Sequence, residues 1–289
     1  MKFILNFCVL ILILSCTKDE TPQQIQTQGY NMLLIGNSFF KPYADNLNTL
    51  ATQANLNEHS STVVKRGGEN GRPINLWNDS TTEEHQLIKS TLDQGNIEVF
   101  GMTSGYDIGS DNPTEGHSAW INYALQKNPN IIVFIAIGSF DFPNGDSNST
   151  RPDWDTFASD NGFNSIQEFY DYYMNEVIHK EIVDELRKEF PSTKIFTIPT
   201  GWATKNLAQM KIDNELLDDI SMFGPKSSSV FTDEKGHQGQ IVIETGTMIW
   251  LNSIYNVDLS LFNYDTGFTT DLHAIAQDII DSHDSNYKF

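Results

Sequence analysis

The sequence predicts an α/β fold with a mostly parallel sheet. Short apolar segments alternate with longer amphipathic ones along the chain, which is the pattern of strands joined by helical crossovers. Three of the five strand-like segments are continuous apolar runs, as expected of strands buried on both faces. The clearest helical segment carries its own start and stop signals.

The strand candidates are 31–36 (NMLLIG), 61–65 (STVVK), 97–102 (IEVFGM), 130–138 (NIIVFIAIG) and 193–199 (TKIFTIP). After the first, Pro42 sits where a first helical turn accepts proline, and Leu47, Leu50, Ala51 and Ala54 recur on one face. Residues 165–190 read as a long helix. Ser165 and Glu168 form a capping box, and Ile166, Phe169, Tyr173, Val177, Ile182, Leu186 and Phe190 make an apolar stripe that stops before Pro191. Residues 239–255 and 269–282 are further helical segments. The Gly/Asp/Asn/Ser-rich stretches 104–116 and 139–163 read as long loops.

The N-terminus has another character. Residues 1–16, MKFILNFCVLILILSC, hold an apolar run too short to span a bilayer and suited to an export signal. Its end, Ile13-Leu14-Ser15-Cys16, resembles a bacterial lipobox, which implies lipidation of Cys16 and an exported, envelope-anchored protein, in the outer membrane on its periplasmic or surface side. Residues 17–29 are polar and read as a flexible tether, leaving 30–289 as the folded domain. The chain has two cysteines, Cys8 and Cys16, so the domain carries no disulfide and depends on its core. The net charge of −20 argues against nucleic acid and against an anionic membrane surface as partners. The membrane is expected to be met through the N-terminal lipid alone.

In an open parallel sheet, ligands gather beyond the carboxyl ends of the strands. Gly36-Asn37-Ser38 follows the first strand, Arg66-Gly67-Gly68 the second, and Thr103-Ser104-Gly105 the third. Near the C-terminus, FTDEKGHQGQ (231–240) precedes an apolar helix. A serine hydroxyl becomes nucleophilic when a base removes its proton, and a histidine base needs a carboxylate to hold its tautomer. Ser38 offers the hydroxyl, His237 the base, and Asp233 or Glu234 the carboxylate. The N–H groups of Ser38 and of a glycine at 67 or 68 are placed to receive an oxyanion. A phosphate-binding module would need a GxGxxG or a P-loop lysine, and the chain has neither.

With these elements the chain resembles the SGNH (GDSL-like) hydrolases, in a branch with a GNSF-type first block. The likeness rests on Gly36-Asn37-Ser38, on Gly67-Gly68, on the late acidic element before His237, and on a segment like IPTG (198–201), and it covers roughly residues 31–258. It implies a three-layer α/β/α sandwich of SGNH/flavodoxin-like type with five strands. It also implies ester hydrolysis through an acyl-serine on an acylated carbohydrate or another small ester, with no metal and no cofactor. An inactive, ligand-binding relative is the alternative. The family's third block carries an oxyanion-binding asparagine, whereas this chain has Thr103, Ser104 and Gly105. The family spacing selects Glu234; Asp233 fits if Gly236 is an inserted residue.

Gly68, Thr103, Ser104 and Trp120 complete the expected oxyanion and substrate contacts. Trp77, Tyr106, His117, Trp154 and Trp202 also lie in or beside strand-end loops, where aromatic side chains can stack on sugar rings or simply pack. His59, His85, His179, His273 and His283 have no partner at metal-ligand spacing. His179 reads as a helix-surface residue, and Glu83-Glu84 and Asp218-Asp219 as solvated surface.

Overall fold

The computed structural model describes residues 28–105, 111–139 and 154–289. The signal segment with Cys16, residues 17–27 of the tether, Tyr106 and most of the second long loop lie outside the described residues.

Five parallel strands form the sheet: β1 (Asn31–Gly36), β2 (Ser60–Lys65), β3 (Val99–Thr103), β4 (Ile132–Ala136) and β5 (Ile195–Ile198), in the order β2-β1-β3-β4-β5. This is a doubly wound α/β order whose direction reverses between β1 and β3. Alternation along β1 divides the core. Met32 and Leu34 pack on one face of the sheet, Leu33 and Ile35 on the other, as the two-residue period of a strand requires.

The first face is covered by α1 (Lys41–Gln53), by α8 (Gly201–Ile212), α9 (Gln240–Tyr255) and α10 (Leu272–Ser282). The second is covered by α2 (Pro73–Asn78), α3 (Glu83–Leu92), α4 (Glu115–Leu125) and the helical run 166–189, which begins as α6 (Ile166–Tyr172) and ends as α7 (Glu185–Glu189); the short α5 (Trp154–Asp160) precedes that run. α9 is buried on nearly all sides, which explains a sequence without a polar stripe. Its Trp250 is fully buried, meets Phe40 at 4.9 Å and Phe134 at 5.1 Å between ring centres, and donates to Thr200 Oγ1 at 2.7 Å. No helix among the described residues is long and apolar enough to cross a membrane.

The run 166–189 starts as its capping signal implies, with Ser165 Oγ accepting the N–H of Glu168 at 3.2 Å. The Glu168 carboxylate reaches the N–H of Asn164 instead of closing the box on Ser165. The middle, Tyr173–Asp184, is wound as π-helix. Ile166, Tyr170, Met174, Ile178, Ile182 and Leu186 are buried, a spacing of four that suits a helix looser than 3.6 residues per turn. His179 is buried, at 1% exposure, and is not a surface residue. Asp218 is not idle surface either: it accepts the N–H groups of Thr269 and Thr270 at 2.8 and 2.9 Å. Glu83 and Glu84 occupy the first turn of α3, whose cap is Thr82 and whose N-terminal N–H groups favour negative charge.

Two three-residue strands, β6 (Ser221–Phe223) and β7 (Ser229–Phe231), form a separate parallel pair. β7 leads directly into the segment carrying His237.

Candidate active site

The site is built at the carboxyl ends of β1, β2 and β3, where the strand order reverses. β1 ends at Gly36, and Asn37 opens the turn that leads into α1. Its Oδ1 accepts the N–H groups of Phe39 and Phe40 at 3.0 and 3.3 Å, and its carbonyl accepts that of Lys41 at 3.1 Å. An asparagine side chain readily closes such a turn on the backbone two residues on. Ser38 therefore sits, half-buried, in a turn immediately before α1.

The glycine loop after β2 rests against that turn. A Cβ at Gly71 would lie 2.6 Å from the Gly36 carbonyl oxygen and 2.7 Å from Asn37 Cα, and one at Gly36 would lie 2.6 Å from the Phe40 ring. Only glycines allow this approach. Sequence reasoning took up Gly67-Gly68 and passed over Gly71, the buried glycine that holds the loop in place. Gly68 has φ +55° and lines the cleft described below.

His237 comes to Ser38 on a tight turn. The N–H of Thr232 donates to the His237 carbonyl at 2.7 Å, and the N–H of Gly236 to the Asp233 carbonyl at 3.1 Å. Gly236 makes the turn with φ +95°, a region that favours glycine. The extra residue carries Asp233 to the imidazole. His237 Nδ1 lies 2.6 Å from Asp233 Oδ2, and His237 Nε2 lies 2.8 Å from Ser38 Oγ. The backbone N–H groups of Gly236 and His237 donate to Asp233 Oδ1 at 3.1 and 3.2 Å. Glu234, the carboxylate that family spacing selects, is exposed and is not the partner of His237.

Partial burial pushes the Asp233 carboxyl up. The hydrogen bonds from the His237 ring and from the His237 and Gly236 N–H groups outweigh that effect, so its pKa lies below the ordinary carboxylate value. The carboxylate stays charged and holds a proton on Nδ1, which leaves the Nε2 lone pair for the serine. Phe39 stacks on the imidazole, 4.8 Å between ring centres and 14° from parallel, and fixes its plane.

A cleft of about 480 Å³ opens beside these groups. Asn37, Gly68, Thr103 and Ser104 line its polar side, and Tyr43 and Trp250 its apolar wall. The Ser104 N–H donates to the Ala136 carbonyl at 3.0 Å, so it serves the sheet and not the cleft. The Thr103 carbonyl accepts from His117 Nε2 at 3.0 Å, and burial lowers the His117 pKa to about 4.

Trp120 does not reach the site. It is fully buried, donates to the Pro73 carbonyl at 3.0 Å and packs edge-on to Trp77 at 4.8 Å. A tryptophan at helical spacing from other apolar residues belongs first to the core, and this one does. Trp202 stacks on Tyr170, and Trp154 packs against the first core face. The charged lining residues Arg72 and Lys235 were not singled out from the sequence, where nothing distinguishes them from ordinary surface cations. Among the described residues, no group of three His, Cys, Asp or Glu side chains is arranged to hold a metal ion.

No protein-family model and no curated protein sequence matches the chain. Among solved structures it is similar to the periplasmic domain of a lipopolysaccharide acetyltransferase from Salmonella ser. Paratyphi A. The identity is 13%, covering 80% of this chain and 84% of that one, with a TM-score of 0.42. It is also similar to a family 3 carbohydrate esterase from Clostridium thermocellum, at 16% identity over 80% of this chain and 97% of that one, with a TM-score of 0.42. Likeness at this level carries no chemistry to this chain, whose site stands on its own distances.

Proposed function

We propose that the protein is a serine ester hydrolase that removes acyl groups from carbohydrate in the cell envelope. The observation that supports this reading is the continuous set of contacts from Asp233 through His237 to Ser38, at 2.6 and 2.8 Å. Ser38 Oγ attacks the ester carbonyl carbon while His237 Nε2 takes its proton. Asp233 holds the imidazole and stabilises its cation. The tetrahedral oxyanion receives the N–H groups of Ser38 and Gly68. His237 then gives its proton to the leaving alcohol oxygen as the C–O bond breaks. Water, deprotonated by His237, attacks the acyl-serine and frees the carboxylic acid and Ser38.

The third oxyanion donor is Asn37. Its Oδ1 is committed to the turn before α1, and the residue lines the cleft, so Nδ2 is the end of the amide left to donate. Asn37 thereby replaces the asparagine missing after β3, with Thr103 beside it. The carbohydrate part of the proposal rests on the resemblance of the sequence blocks and on the polar side of the cleft; Tyr43 and Trp250 behind it are buried. The lipid at Cys16 and the tether would hold the domain at the envelope, where acylated polysaccharides are met.

The test is labelling of the detergent-solubilised full chain with a fluorophosphonate, beside Ser38→Ala. Labelling that requires Ser38 is expected. A folded protein that shows no Ser38-dependent labelling and no hydrolysis of p-nitrophenyl acetate overturns the reading.

A further inference from the structure

Asn37 and Phe39 line the first cleft, and Ser38 between them lines a second depression, of about 410 Å³, which shares no described lining residue with the first. It lies between the start of α1, the end of β2, Lys226 and the first turn of α9. Lys41, Lys65 and Lys226 line it, with Asp45 as its one carboxylate among the described residues. Lys41 is ion-paired with Asp45, while Lys65 and Lys226 are exposed. The first cleft carries Arg72 and Lys235 against Glu69. Together the two linings present five cations and two carboxylates, two of the cations being paired with those carboxylates, in a chain with 18 cations and 38 carboxylates. The excess of positive charge lies in the second depression, three lysines to one carboxylate, while the exposed Asp233 and Glu234 stand on the His237 side of Ser38.

The floor of the second depression is organised from below. Glu244, only 5% exposed, accepts from Asn46 Nδ2 at 3.2 Å, Gln240 Nε2 at 2.5 Å and Tyr264 OH at 3.1 Å. Asn46 and Gln240 both line the depression. Because their NH₂ ends are turned to the buried carboxylate, their carbonyl oxygens are the ends left for a ligand. Fixed amide acceptors suit sugar hydroxyls, and mobile ammonium groups suit an anionic substituent.

We propose that this depression is the subsite for the alcohol half of the ester and that it takes an acidic sugar, one whose ring carries a carboxylate or a sulfate. The assignment to the alcohol half rests on the esterase reading above. The oxyanion donors Gly68 and Asn37 belong to the first cleft, so the acyl group lies there. The leaving oxygen must meet His237, and α9 begins three residues after His237 with Gln240, on the floor of the second. In a chain of net charge −20, this patch is what allows an anionic ligand to approach. Exposed ion pairs of this kind are each weak, so a preference of about tenfold is the expected scale.

The experiment uses the full chain with Ser38→Ala, titrated by NMR with methyl glucuronoside, methyl glucoside 6-sulfate and methyl glucoside. Both anionic sugars are expected to bind about tenfold more tightly than the neutral one at low salt. The preference should collapse at about 0.5 M salt and in a Lys65→Glu/Lys226→Glu variant whose thermal midpoint matches the parent. Preference for only one anionic sugar identifies the substituent. Equal affinities, no binding of any sugar, or a preference that survives the double substitution overturns the proposal. Wild-type kinetics on the acetylated glucuronoside and glucoside separate the two readings. Equal Ser38-dependent kcat/KM values keep the esterase and sink the acidic-sugar subsite. A binding preference without turnover or Ser38 labelling keeps the anionic-sugar site and sinks the esterase.

Discussion

Ser38 and Thr197 each present a hydroxyl to histidine Nε2. The distance is 2.8 Å to His237 at Ser38, and 3.0 and 2.8 Å to His179 and His283 at Thr197. The surroundings differ. His237 is partly exposed and has Asp233 on Nδ1. His179 and His283 are 1% and 6% exposed, and their Nδ1 atoms are buried without a partner. Burial, with the neighbouring histidine adding to it, lowers His179 to about 3; burial and nearby Lys288 lower His283 to about 4. A base must be able to keep the proton it takes. The buried pair cannot become imidazolium at neutral pH, so the same contact there is a structural hydrogen bond between β5, the π-wound helix and the C-terminal segment. A hydroxyl beside a histidine is thus not enough for nucleophilic chemistry; the carboxylate and the open cleft separate the two regions.

The largest expected effect separates them most sharply. Ser38→Ala or His237→Ala should lower kcat for an acyl ester by about 10⁴-fold or more, and Asp233→Asn by about 10⁴-fold with the fold intact. Thr197→Val, in contrast, should leave kcat within about twofold while costing about 1–3 kcal/mol of stability, because two buried Nε2 atoms lose their partner. Steady-state kinetics and urea unfolding on the same preparations check both halves. If Asp233→Asn kept more than about a tenth of the activity, the carboxylate would not be what distinguishes the sites.

Next in size is the oxyanion donor. Asn37→Asp keeps an oxygen for the N–H groups of Phe39 and Phe40 and removes the Nδ2 donor. It should cost about 10²-fold in kcat, the scale of one lost donor, with little change in unfolding midpoint. Asn37→Ala should lose the donor and also about 1 kcal/mol of stability, because the turn before α1 loses its side-chain acceptor. Equal kcat for Asn37→Asp and wild type would assign the third donor elsewhere.

The pH dependence of stability probes the buried pair. For His179, His283 and His117 the folded pKa is depressed from 6.5. Above pH 6.5 both states are neutral and the stability is fully present. As pH falls below that value, the unfolded chain takes up protons that the folded chain refuses, so stability is lost until about pH 4, where His283 and His117 protonate in place. The slope should approach about 1.4 kcal/mol per pH unit for each such histidine. His179→Phe keeps the stack on Tyr287, which lies at 3.6 Å, and should flatten the slope by one histidine's share. The charges facing this pair are Asp284, Arg187 and Lys288.

These comparisons also show what a sequence can carry. The bounds of β1 are legible to the residue because an apolar run stops abruptly at Gly36, and the other four strands shift by a residue or two at their ends. α8 is not legible. Its buried positions include Ala203, Thr204 and Ala208, which make no apolar stripe. α4 begins inside a Gly/Asp/Asn-rich stretch, and β6 and β7 are too short for a period to register. His179 looks like helix surface because its partners, Thr197 and Tyr287, belong to other elements. Ser38 and His237 stand out because each sits in a recognisable block. Arg72, Lys235 and the three lysines beside Ser38 do not, since only the folded chain gathers them.

The smallest expected effect decides between the two carboxylates. Counting residues cannot choose between Asp233 and Glu234, because the choice depends on how the chain turns between them and His237. Gly236 at φ +95° absorbs one residue, and the four-residue spacing then faces the imidazole. Glu234 is left exposed, where its charge is screened by water and salt. Glu234→Gln should therefore change kcat by less than about twofold, against about 10⁴-fold for Asp233→Asn. Gly236→Ala sharpens the same point. An L-residue is strained at positive φ, so relaxing that turn should pull Asp233 off Nδ1 and lower kcat with KM nearly unchanged. Were Glu234→Gln the damaging substitution and Asp233→Asn the mild one, the working turn would be the three-residue one, and Gly236 would have to leave the left-handed region when substrate binds.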